Sequence, residues 1–117
     1  MLTNDNFKKI KEINTMLEKI TSSELYNRYK DGPDAKSQSA EKILVEGIAT
    51  YLGPDMYGLP SIEFGTSKND GANILCVLAE PEYANVKIGS KVTILGNFYG
   101  FVQKTVVMKK CEVKEVI

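Results

Sequence analysis

The apolar residues change their period once along the chain. From Phe7 they recur at Ile10, Ile13, Leu17 and Ile20, three or four apart, with lysines and glutamates between them. That is the stripe of an amphipathic helix over residues 5–20, started by a polar cap near Thr3–Asp5. Residues Thr21 to Glu24 read TSSE, the spacing of a capping box, in which a threonine and a glutamate satisfy orphan backbone donors. A second helix through Leu25, Tyr26 and Tyr29 is therefore predicted, ending where Gly32-Pro33 forbids continuation. Residues 34–42 are polar and read as one more helical turn or as loop.

From Ile43 onward the period is two. Strands are predicted over Ile43–Leu52, Ser61–Gly65 and Asn73–Leu78, then in SKVTILGNF (Ser90–Phe98) and KTVVMKKCEVKEV (Lys104–Val116). The connections are GPDMYGLP from Gly53 and a hairpin turn over Thr66–Gly71. Ala79–Gly89 is expected to hold a short helical turn, and a tight turn is expected at Gly100. Strands this short and this closely spaced point to a small barrel or sandwich. The last strand is out of phase with itself, since Val106 and Met108 share one face and Cys111 and Val113 share one. A β-bulge at Lys109-Lys110 would bring all four into the core. Gly47 reads as the point where the first strand bends to serve both sides of a closed barrel.

Composition narrows the chemistry. The 117 residues are 43% apolar and 26% charged, enough for one core. Fifteen basic and fifteen acidic side chains cancel, so no overall field draws the protein to nucleic acid or to an anionic surface. Histidine is absent, which removes Ser-His and Cys-His nucleophile pairs and the commonest metal ligand. Cys76 and Cys111 lie far apart without a CxxC, against a zinc site or a thioredoxin-type motif. No catalytic constellation stands out, and no metal, cofactor or enzyme activity is expected. No apolar run approaches the roughly 18 residues of a membrane span. The start, MLTNDNFKKIKEI, lacks the features of a signal peptide. The expected compartment is the cytoplasm as the sequence stands, or the cell envelope if a leader has been removed.

KIGSKVTILGNFYG, with Gly89, Val-Thr-Ile, Gly96 and Gly100, resembles the fourth strand of small OB-fold domains. The run from Ser22 to Val116 is similar to the tRNA_anti-like OB-fold family of small bacterial proteins, many of them lipoproteins. The residues that carry the likeness are Glu24, Leu25 and Tyr29, then Val45-Glu46-Gly47, Cys76, Gly89 to Gly96, and Cys111. The resemblance implies a mainly β fold, and with the helical reading above it predicts a five-stranded OB barrel (residues 41–117) preceded by an α-helical pair (residues 1–40). Strands three and five are neighbours in that topology, and both cysteines read as pointing inward. They would be a disulfide in an oxidising compartment and buried thiols in a reducing one.

OB barrels usually bind across strands two and three, between the loop joining strands one and two and the loop joining strands four and five. Those loops here carry Met56 and Tyr57, and Tyr99 and Phe101. Phe98 is in phase with Val92 and Ile94 and is expected in the core, and Tyr99 is expected at the tip of the turn. Phe101 stays open between core and display. Lys104, Lys109 and Lys110 are candidate phosphate contacts, or simply solvated lysines that blunt a sheet edge. Glu63 sits on the outward face of strand two, opposed to a nucleic-acid groove. The expectation is a non-catalytic binding module, with a protein partner or self-association through the first helix. The alternative is single-stranded nucleic acid, stacked on Tyr57, Tyr99 and Phe101.

Overall fold

The computed structural model describes residues 17–36, 41–65 and 73–117. Five strands close on one another: β3 (Lys42–Pro54), β4 (Pro60–Phe64), β5 (Ile74–Leu78), β6 (Lys91–Val102) and β7 (Thr105–Val116). They hydrogen-bond in the order β3-β4-β5-β7-β6, and β6 returns to β3, so the barrel has no gap between first and last strand. All these pairs are antiparallel except β5 with β7, the neighbours expected to be strands three and five. Closure gives the alternating strands a single interior, filled by Val45, Ile62, Phe64, Ile74, Ile94 and Met108 among others.

Long β3 serves two partners. Residues 42–48 pair with β6, and Ala49 onward pairs with β4. Gly47 sits at the changeover, and a Cβ there would stand 2.8 Å from the Phe64 ring and 3.0 Å from Ser22 Oγ. The glycine thus does more than bend the strand, because it lets the Phe64 ring lie against the backbone. The first half of β3 is flanked by a short parallel strand, β1 (Lys19–Thr21). Glu46 ties this corner together, with Lys19 Nζ at 2.8 Å and Lys91 Nζ at 3.2 Å.

Helix α1 (Ser22–Asn27) begins as the capping residues dictate. Thr21 is the N-cap and its hydroxyl accepts from the Glu24 N–H at 3.1 Å. The Glu24 carboxylate accepts from the same hydroxyl at 3.2 Å, so one arm of the box is remade between side chains. Leu25 enters the core, and Tyr26 on the helix and Tyr29 just beyond it pack against the core with their rings. Tyr29 stacks on Phe98 at 4.7 Å, and Tyr26 meets Phe101 edge-on at 6.0 Å.

Four expectations need correction. The helical pair is not present among the described residues, which hold one short helix. Ile20 belongs to strand β1, where it pairs with Val45, while Phe7, Ile10 and Ile13 lie outside the described residues. The polar stretch after Pro33 contains a short strand, β2 (Ala35–Lys36), paired with Gly100 and Phe101. Residues 79–89 hold turns rather than a helical turn. The Val86 N–H closes one on Tyr83 O at 2.9 Å, through Ala84 and Asn85 at positive φ, and Val86 is buried. Finally, Gly100 is not the hairpin turn. It lies in β6 beside a register shift, and the turn is Gln103-Lys104, both in the left-handed region at φ 51° and 60°.

The physical reason for the last correction is the spacing of two rings. Phe98 and Phe101 are three apart, and a regular strand cannot send both inward. The shift between Phe98 and Gly100 adds a residue to β6 and lets both rings reach Tyr29. The same device appears where it was expected in β7, with Lys110 at φ 52°. Met108 and Cys111 are both buried as a result, and Val113 packs against the core.

Candidate functional site

The loop from β3 to β4 is short and internally braced. Asp55 Oδ1 accepts from the Tyr57 N–H at 2.8 Å and the Leu59 N–H at 2.9 Å. The Asp55 N–H donates to Leu59 O at 2.7 Å, and the Gly58 N–H to Asp55 O at 3.0 Å. An aspartate that satisfies the backbone this way fixes a turn at little conformational cost. With the loop's polar groups turned onto themselves, its side chains point away: Met56 is 86% exposed and Tyr57 77%. Two apolar residues are thus held out on a rigid frame.

Beside the loop lies a groove of about 340 Å³, lined by Tyr51, Pro54, Met56, Ser61, Glu63 and Leu75 among others. Its floor is a cross-strand row, Tyr51 on β3 opposite Glu63 on β4, opposite Leu75 on β5. The Tyr51 hydroxyl donates to Pro54 O at 2.6 Å, and a Cβ on Gly53 would stand 2.8 Å from that hydroxyl oxygen. The ring is therefore pinned along its own strand. Burial pushes the Glu63 carboxyl above the usual carboxylate range.

The row continues to Val107 on β7 and then to Gly100 on β6, next to Tyr99. Tyr99 is 40% exposed and Lys109 Nζ lies 5.1 Å from its ring centre, a cation–π contact. Of the candidate residues, Met56 and Tyr57 share the braced loop, and Tyr99 and Lys109 share a neighbouring sector of the outer wall. Tyr99 stands within the strand, not at a tip. Phe101 is 2% exposed, which decides its open alternative for the core. Lys104 is in the hairpin turn. Lys110 lines a separate depression with Lys42, Asn97 and Glu112. Two further lysines of these strands are engaged in ion pairs, Lys114 with Glu112 at 2.9 Å and Lys91 with Glu46 at 3.2 Å. The lysines of β7 and the turn before it therefore do not form one continuous basic stripe. The loop 55–59 and the turn at 103–104 sit at opposite ends of β4 and β5, because Ser61 pairs with Val77 and Phe64 with Ile74.

A family model described as tRNA_anti-like matches residues 2–112. The chain belongs to the tRNA_anti-like family. No curated protein matches it. As a tRNA_anti-like barrel it carries the OB-type wall on which binding modules are built, and the groove occupies the part of that wall formed by its first three strands. Sequence reasoning overlooked Tyr51 as part of this wall. Phase puts Glu63 on the outer face but misleads for Tyr51, which is in step with the inward Val45 and Ala49; the register shift between Ala49 and Tyr51 turns it outward.

The two cysteines are free thiols, both buried. A hydrogen bond to Cys111, and then burial, push the Cys76 thiol well up, so it is held neutral and unreactive. No helix among the described residues is long and apolar enough to cross a membrane.

Proposed function

We propose that this tRNA_anti-like barrel is a non-catalytic binding module for a protein partner, with the loop 55–59 and the adjoining groove as its contact surface. The observation that carries this reading is the braced loop, which holds Met56 and Tyr57 at 86% and 77% exposure. A methionine–tyrosine pair on a rigid frame gives adaptable apolar contact at low entropic cost, the composition enriched at the centres of protein interfaces. The balanced charge and the two carboxylates lining the groove, Asp55 and Glu63, both disfavour a polyanion there. A photo-crosslinking amino acid placed at Tyr57 in the producing cell tests it. The expected result is a discrete adduct that protease removes and nuclease does not. Nuclease-sensitive adducts, or none, would overturn the reading.

A second reading has its own support, the Lys109–Tyr99 pair, since a ring beside a cation is the element from which single-stranded nucleic-acid sites are built. A fluorescent single-stranded oligonucleotide decides it. Low-micromolar binding that weakens steeply with salt and is lost on Tyr99→Ala would establish this reading over the first.

A further inference from the structure

We propose that the groove beside the loop accepts a lysine or arginine side chain of the protein partner, with Glu63 as its counter-charge and Tyr51 as the surface along which its stem lies. This rests on the protein-binding reading above and adds the chemistry of what is bound. Three features of the molecule lead to it.

The first is how carboxylates are treated elsewhere on the barrel. Glu46 has two lysines at 2.8 and 3.2 Å, and Glu112 has Lys114 at 2.9 Å. Among the described residues no lysine or arginine pairs with Glu63, which stands half-buried between Tyr51 and Leu75 on the flanking strands. A carboxylate kept in partly apolar surroundings without a cation is held at a free-energy cost, and an arriving cation removes that cost. The raised Glu63 pKa agrees with such an unmet charge.

The second is the shape of the walls. Tyr51 is anchored through its hydroxyl to Pro54 O, which leaves a fixed ring beside the carboxylate. Lys and Arg side chains suit such a place, because their methylene stems pack on apolar surface while the head reaches a charge, and arginine also stacks on rings. Met56 on the groove and Tyr57 next to it offer apolar contact for the residues flanking the cation. The third is the penalty for a wrong occupant. A purely apolar segment would bury Glu63 further with nothing to meet it, and a phosphate would be repelled.

The test uses a library of random peptides displayed on phage, panned against the full chain. Enriched sequences are expected to carry a lysine or arginine flanked by apolar residues. An enriched peptide, measured by fluorescence anisotropy, should bind about tenfold more weakly to Glu63→Gln, the loss expected when one charge-assisted contact goes. Replacing its basic residue with norleucine should weaken binding to the unmodified protein by a similar factor and add little further loss against Glu63→Gln. Peptides without a basic residue, or binding unchanged by Glu63→Gln yet lost on Met56→Ala with Tyr57→Ala, would overturn the proposal while leaving the protein-binding surface standing. If no enriched peptide depends on Met56, Tyr57 or Glu63, the proposal and the reading beneath it both fall.

Discussion

Gly96 and Glu63 illustrate what single residues do in this barrel. A Cβ on Gly96 would stand 2.5 Å from Cys111 Sγ and 3.1 Å from Met108 Cε, so the glycine is the space into which the thiol packs. Gly96→Ala is expected to destabilise by about 2–3 kcal/mol, as overpacking of a closed core does. Cys111→Ala in the same chain should recover at least about 1 kcal/mol of that, a coupling that urea denaturation of the four variants would expose. Glu63 acts in the opposite sense. Its folded-state pKa is raised, so its charged form is penalised only in the folded protein. That penalty is absent below the ordinary carboxylate range, grows as pH rises through the raised value, and is complete at neutral pH. Glu63→Gln should therefore stabilise the protein near pH 7, by up to about 0.5 kcal/mol once solvent screening is allowed for. The gain should vanish at acid pH in thermal melts, and a destabilised variant at neutral pH would contradict the unmet charge.

At the scale of elements, the β6–β7 hairpin was the least legible feature. Gly100 with its aromatic neighbours looked like the turn, and Gln103-Lys104 carried no turn signal at all. The chain nevertheless turns at Gln103-Lys104, because β6 must extend to Val102 before Phe101 can reach the ring cluster. Neither residue favours positive φ, and each bears roughly 1 kcal/mol of strain there. Gln103→Asn with Lys104→Gly, the usual pair for such a two-residue turn, is expected to raise stability by about 1–2 kcal/mol in chemical denaturation. By contrast, the N-terminus of α1 and the β7 bulge could both be read in advance. Thr21 and Glu24 state a cap locally, and the phase break between Met108 and Cys111 admits one simple solution.

The whole molecule joins these parts through closure. With β6 hydrogen-bonded to both β7 and β3, the described strands leave no open edge between first and last strand, and Cys76 and Cys111 are both buried. Their alkylation should thus follow global unfolding: iodoacetamide labelling of the folded protein is expected to slow in step with added stability, and the Gln103→Asn, Lys104→Gly variant should label more slowly than the parent. Labelling as fast as that of a free thiol would mean that the β5–β7 seam opens by itself. The outer wall is likewise assembled across strands, since Tyr51, Glu63, Leu75 and Val107 come from four strands and meet only by register.

The sequence by itself determined the mainly β character, the capped helix, the bulge in β7 and the inward cysteines, because each follows from local propensity or from phase within one strand. It also put Met56 and Tyr57 on a loop and left histidine chemistry out. Only the tertiary structure decided that Leu17–Thr21 runs into a strand beside β3, that Phe101 belongs to the core, and that the turn falls at Gln103-Lys104. It alone assembled the groove. Those outcomes depend on partners far away in the chain, Tyr29 for Phe101 and Leu75 for Glu63, and no local pattern encodes which distant side chain will fill the space opposite.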